Sequence, residues 1–207
     1  MITIIDYGVG NIGSIANMIK KVGGAFTITS SPKEVEKAEK IILCGVGAFD
    51  DGMNKLKNLG LIEVLNHKVL KERTPILGIC LGMQLMTKGS EEGTLAGLGF
   101  IDAESKKFDF TKFKTEEKMR TPHMGWNVAK PVKASKLMDN MYEHPRFYFV
   151  HSYYVSLTHK EDELTQTKYG FSFTSAYERG NVIGTQFHPE KSHKYGIKLY
   201  DNFIKNY

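Results

Sequence analysis

Across residues 74–84 the chain passes from a short apolar run into helical spacing through two glycines and a cysteine. This joint restricts the folds open to it more than any other stretch. Residues 75–79 read as a buried strand. Leu81, Gln84, Leu85 and Lys88 then fall at helical spacing, which predicts a helix ending at Gly89. The link, Gly78-Ile79-Cys80-Leu81-Gly82, is a cysteine version of the G-x-S-x-G elbow between a strand and a helix. Such a turn is too tight for side chains on either flank, so the thiol projects from the end of the sheet. The N–H groups and positive end of the following helix favour a thiolate, the form of cysteine that attacks carbonyl carbon. A buried cysteine at a strand end is the competing reading, and the flanking glycines weigh against it.

The rest of the first 90 residues repeats the strand–helix pattern. Ile2 to Ile5 reads as a strand, and Ile12, Ile15, Ala16, Ile19 and Val22 mark a helix closed by Gly23-Gly24. Residues 25–29 are a second strand. Ser31-Pro32-Lys33-Glu34 reads as a capping box opening a short helix. Residues 41–44 are a third strand, leading into Gly45-Val46-Gly47, and residues 59–70 an amphipathic helix. This alternation predicts an α/β fold, a mostly parallel sheet covered by helices on both faces. Ligands of such sheets gather at the C-terminal strand edge, so the 45–47 loop and Cys80 should face each other. Gly8-Val9-Gly10-Asn11-Ile12-Gly13 has dinucleotide-binding spacing. The second strand ends in Ser30-Ser31-Pro32 rather than in the acid that would hold a ribose, so these glycines are expected to serve close packing instead.

The second half reads differently. Residues 105–118 are charged and aperiodic, which predicts a mobile surface loop. Residues 125–128, 146–155, 169–177 and 181–186 are aromatic and β-branched between turn signals, which predicts additional antiparallel strands. Residues 195–207 close the chain as a helix. No linker, repeat or low-complexity tract divides the 207 residues, so one domain is expected.

Composition is that of an ordinary globular protein, 41% hydrophobic and 25% charged. No apolar run reaches the roughly 20 residues of a membrane span. The start of the chain has neither the basic nor the long apolar segment of a signal peptide. Cys44 and Cys80 have no metal-binding spacing. A cytoplasmic protein with free thiols and no metal or cofactor is expected. The net charge of +5 is spread among interleaved acids, which reads as a solvated surface rather than a basic stripe; an acidic protein partner fits it as well as nucleic acid, so the charge does not discriminate.

A cysteine nucleophile needs a base, and usually a group that orients the base. Of the seven histidines, His67 and His159 lie in charged surface stretches. His188 follows the 181–186 strand directly, in Gln186-Phe187-His188-Pro189-Glu190, with Glu190 placed to turn back on the ring. Cys80, His188 and Glu190 all fall at predicted strand ends.

These two motifs together resemble the class I, or triad, glutamine amidotransferases. Further stretches resemble the glutaminase subunit of imidazole glycerol phosphate synthase, among them Tyr7-Gly8-Val9-Gly10-Asn11, Pro122-His123-Met124-Gly125-Trp126-Asn127 and His188-Pro189-Glu190-Lys191-Ser192. The resemblance runs the whole length. It implies that Cys80 attacks the side-chain amide of L-glutamine, with His188 as base and then acid and Glu190 orienting it. It implies oxyanion donors from the Gly45-Val46 loop and Leu81. Gly47, Gln84, Glu92, His151, Ser152 and Tyr153 match positions that hold glutamine. Asn11, Trp126, Tyr148 and Lys191 match positions facing a (β/α)8-barrel cyclase that receives ammonia. The family usually has proline where this chain has Cys44, which should loosen the approach to the oxyanion loop and add an oxidisable thiol. Three alternatives stand beside this reading. They are a paralogous glutaminase serving amidination of a surface-polysaccharide sugar, a non-catalytic binding subunit, and a γ-glutamyl or cysteine peptidase active alone.

Overall fold

The computed structural model describes residues 1–112 and 119–207. Its elements run β1 (Ile2–Ile5), α1 (Ile12–Lys21), β2 (Phe26–Thr29), α2 (Pro32–Val35), β3 (Lys40–Gly45), α3 (Phe49–Asn58), α4 (Leu61–Asn66), β4 (Ile76–Cys80), α5 (Leu81–Leu85) and β5 (Gly89–Ser90). There follow β6 (Ala103–Lys107), β7 (His123–Val128), β8 (Lys130–Pro131), β9 (Arg146–His151), β10 (Tyr153–Leu157), β11 (Glu163–Tyr169), β12 (Phe171–Arg179), β13 (Val182–Thr185) and α6 (His193–Asn206).

The main sheet runs β2-β1-β3-β4-β13-β12-β10-β6-β5, with β11 and β8 continuing from β12. From β2 to β13 every pairing is parallel, and β12, β10 and β6 join antiparallel. Alternation along each parallel strand divides the core. Ile5, Ile41, Leu43 and Ile76 pack with Phe49, Leu56, Leu61 and Leu65 of α3 and α4. Ile4, Ile42, Leu77 and Ile183 pack on the opposite face with Ile15, Ile19, Leu199 and Phe203 of α1 and α6. Helices therefore cover both faces, as the alternation predicts, and β13 reaches β4 from the far end of the chain.

Several expected boundaries change. The 105–118 stretch is not one loop: residues 105–107 belong to β6, whose inward positions are Ala103 and Ser105, and residues 113–118 lie outside the described residues. The 146–155 run divides at Ser152 into β9 and β10. The 169–177 run divides at Gly170, which sits at φ 72° and turns β11 back into β12. Helix α3 lies ahead of the expected 59–70 helix, which itself breaks at Gly60 (φ 67°) and ends in a π-helical turn at His67–Lys71. Ser31 makes no side-chain cap; the Glu34 and Val35 N–H groups donate to its main-chain carbonyl. Helix α5 stops at Leu85 rather than running to Gly89. The Leu98 N–H takes the Leu85 carbonyl, and Phe100 and Ile101 take that of Met86, so the helix end is satisfied by the 98–101 segment.

Candidate active site

The elbow is seated by close approach. A Cβ on Gly82 would lie 1.8 Å from the Leu43 carbonyl oxygen, and one on Gly78 would lie 2.4 Å from the Met86 methyl and 2.9 Å from the Gly82 backbone. Neither glycine has positive φ. The strained residue is Cys80 itself, at φ 54° and ψ −111°. α5 is five residues long, so it offers free N–H groups beside the sulfur rather than the dipole of a long helix.

The loop after β3 meets the elbow directly, since Gly45 pairs with Cys80 in the parallel register. A cavity of about 380 Å³ opens between them. Val46 and Gly47 border it on one side and Cys80 and Leu81 on another. Gln84, Glu92, His151, Ser152 and Tyr153 complete the wall with Pro122 and Val150, two residues the sequence reading did not select. Cys44 holds a regular strand position at the entry to this loop. It is buried and paired with Ile79, and it carries the strand on to Gly45. Burial, with the Glu190 charge nearby, pushes its thiol up to about 12, which leaves it in the unreactive form. Gly10, at φ 103°, rests against it: a Cβ there would be 2.9 Å from the Cys44 sulfur, so this glycine serves close packing, whereas a Cβ on Gly8 or Gly13 would meet nothing within 4 Å.

His188 enters from the end of β13. Its N–H donates to the Tyr148 carbonyl (2.9 Å), and the Ser192 hydroxyl donates to its carbonyl (2.6 Å) while accepting from the Tyr148 N–H (3.0 Å). Its Nδ1 lies 2.7 Å from Glu190 Oε1, with both side chains buried. The Nε2 makes no aligned hydrogen bond, yet the Cys80 sulfur is close enough to act on the ring. Burial works against the charged ring. The hydrogen-bonding and charge of Cys80 and Glu190 outweigh it and raise His188 to about 10.

Gln186 is a third residue that sequence reasoning passed over. Its amide nitrogen points at the Cys80 sulfur from 3.7 Å, and its Oε1 accepts from the Gln84 amide at 3.0 Å. Gln84 also donates to the Tyr153 carbonyl (3.3 Å), so its side chain fastens the wall around the sulfur. The available signal was a glutamine closing an apolar strand, which must find partners when buried.

A second chain of contacts runs through the wall. His151 Nδ1 lies 2.7 Å from the Tyr153 carbonyl, His123 Nδ1 lies 2.9 Å from His151 Nε2, and Asn127 Nδ2 lies 3.2 Å from His123 Nε2. A carbonyl only accepts, so His151 carries its proton on Nδ1. Its Nε2 must then accept from His123 Nδ1–H, and His123 Nε2 accepts from the Asn127 amide. Both rings are neutral in this arrangement. Burial holds His151 down to about 3, against the pull of the Tyr153 carbonyl, and His123 down to about 4.

Three of the expected partner-facing residues lie together, Trp126 and Tyr148 being paired across the separate two-stranded β7–β9 sheet. Trp126 is 40% exposed, sits 6.4 Å from the Tyr148 ring and stacks on His193, and the Lys191 ammonium lies 5.7 Å from the Tyr148 centroid. Asn11 is exposed at the start of α1, apart from those three. His67 and His159 are on the surface beside carboxylates, as expected. Among the described residues no group of three metal-ligating side chains is placed to hold a metal, and no helix is long and apolar enough to cross a membrane.

A strained cysteine on an α/β elbow, with a buried His–Glu pair brought from the last parallel strand, is the arrangement of a thiol enzyme. The chain belongs to the class-I glutamine amidotransferase family, whose model matches residues 3–206. It is 57% identical over 205 residues to imidazole glycerol phosphate synthase subunit HisH 2 of Methanococcus maripaludis, and 47% identical over 205 residues to the subunit HisH 2 of Pseudomonas aeruginosa. Each match covers 99% of both chains. The subunit HisH of Leptospira borgpetersenii is 44% identical over 98% of both. Among solved structures, a glutamine amidotransferase superposes with a TM-score of 0.70 at 15% identity over 96% of this chain and 98% of that one. The glutaminase domain of Trypanosoma brucei CTPS superposes with a TM-score of 0.64 at 17% identity, over 100% and 94%. These structural matches carry the fold.

Proposed function

We propose that this chain is the glutaminase subunit of an imidazole glycerol phosphate synthase, and that Cys80, His188 and Glu190 carry its chemistry. The observation behind the assignment is the meeting of the Cys80 elbow and the buried His188–Glu190 pair at one strand edge beside the cavity. The Cys80 thiolate attacks the side-chain amide carbon of glutamine. The carbonyl oxygen becomes an oxyanion facing the main-chain N–H groups of Leu81 and Val46. A glycine on either side of Val46 leaves its peptide free to rotate into that role, and losing one such donor typically costs about 10²–10³ in rate. The His188 imidazolium gives its proton to the departing nitrogen, ammonia leaves, and a γ-glutamyl thioester remains. Water then attacks the thioester while His188 takes up its proton, and glutamate and the thiolate separate. Glu190 holds His188 Nδ1–H throughout.

Glu92, Ser152 and Tyr153 line the place for glutamine, and His151 and Gln84 act by holding the Tyr153 main chain. The Trp126, Tyr148 and Lys191 surface, together with Asn11, docks a (β/α)8-barrel cyclase that takes the ammonia before water can protonate it.

Glutamate release, measured for this chain alone and then with the cyclase and its ribonucleotide ligand, tests the assignment. Cys80→Ala is the blank. A large rise needing both additions supports it. Full activity alone points to a free-standing hydrolase, stimulation only by a sugar-modifying partner moves the acceptor, and no glutamate in any mixture leaves a non-catalytic subunit.

A further inference from the structure

We propose that the Tyr7 hydroxyl is a positioning group for the 45–47 loop, giving the Gly45 carbonyl its hydrogen bond when the Gly45–Val46 peptide rotates to present the Val46 N–H. The assignment rests on the reading above that this loop supplies an oxyanion donor.

Tyr7 follows β1 and is 2% exposed among apolar side chains, and its hydroxyl oxygen has no partner among the described residues. Buried hydroxyls are nearly always paired, and a ring wanted only for bulk would serve as phenylalanine. Tyr177, buried on the same side of the sheet, shows the ordinary arrangement by donating to the Met83 carbonyl at 2.8 Å. The Tyr7 oxygen is instead aimed at one glycine. A Cβ on Gly45 would lie 2.2 Å from it and 3.2 Å from the Leu81 side chain. The phenol therefore rests on the Gly45 backbone, with no side chain between, on the residue that pairs with Cys80.

Rotation of a peptide unit sends its N–H and C=O to opposite sides. Turning the Val46 N–H to the cavity swings the Gly45 carbonyl away from it, and the phenol O–H is the donor within reach of that backbone. In the present conformation the hydroxyl is unpaired, and in the rotated one both groups are satisfied. Tyr7 thus favours the donor-forward loop without touching glutamine.

The test is Tyr7→Phe in the full chain, with the cyclase and its ribonucleotide ligand present. The kcat for glutamate release is expected to fall roughly fivefold, the size of one neutral hydrogen bond. The KM for glutamine should stay within about twofold, and Tm should be unchanged or higher because an unpaired hydroxyl has been removed. Alkylation of Cys80 by iodoacetamide displaces iodide at a methylene and forms no oxyanion, so its rate should not change. An unchanged kcat overturns the proposal and makes Tyr7 a core residue. So does a parallel loss of alkylation, which would place its effect on the thiol, or a kcat loss that comes with a lower Tm. If the unsubstituted chain releases no more glutamate than Cys80→Ala, the glutaminase reading itself falls and takes this assignment with it.

Discussion

Glu190 spends one carboxylate oxygen on His188, and its other oxygen is buried without a partner among the described residues. Such an arrangement persists because the negative charge is needed beside the ring. Glu190→Gln keeps the shape and removes the charge, so the imidazolium is held less tightly and His188 drops from about 10. We expect kcat to fall by about 10², the low end of what a positioned acid–base group contributes. The alkaline limb of the kcat/KM profile should move to lower pH with little change in glutamine KM. An unmoved limb would separate Glu190 from the proton transfer. His188 and Glu190 were legible because they stand together in a short motif at a strand end. Gln186 stands two positions away and was not, because its partners, Gln84 and Cys80, come from residues about a hundred positions earlier in the chain.

At the scale of elements, the elbow depends on how closely α5 lies on β3. With the Leu43 carbonyl 1.8 Å from the place of a Gly82 Cβ, Gly82→Ala must lift the helix or bend the strand. A loss of about 3 kcal/mol in chemical denaturation is expected, the upper part of the range for overpacked cores. Gly23→Ala, where a Cβ meets nothing within 4 Å, should show only the smaller strain of φ 76°. Equal losses at the two sites would mean that close approach is not what Gly82 provides. The same close approaches explain which elements the sequence disclosed. The inner parallel strands β1, β3 and β4 read clearly because both of their faces are buried and nearly every residue is apolar. α3 was not anticipated; its Gly52 meets Leu85, whose methyl carbons would stand 3.1 and 3.2 Å from a Cβ. β6 was missed because its inward side chains are alanine and serine, which leave no hydrophobic alternation to read.

For the whole molecule, three buried histidines set a pH dependence with two opposing signs. His123 and His151 are held near 4 and 3, below the ordinary 6.5, so the unfolded chain binds protons that the folded one refuses. Their contribution is present above 6.5 and is lost as pH falls toward 4. His188, raised to about 10, binds a proton that the unfolded chain gives up, so its contribution is whole below 6.5 and drains away as pH climbs to 10. Unfolding free energies should therefore peak near pH 6.5, with an acid slope approaching about two protons and an alkaline slope of about one. His123→Asn should remove about one proton from the acid slope; an unaltered slope would refute the neutral pairing of the two rings. The placement of β13 has a consequence for synthesis. Cys80 is made early, but the strand beside it and the histidine beyond it are drawn from the end of the chain, with 106 positions between Cys80 and Gln186. While the chain is still growing on the ribosome its thiol therefore has no histidine beside it, and gains one only after His188 has been made and β13 has slotted between its neighbours.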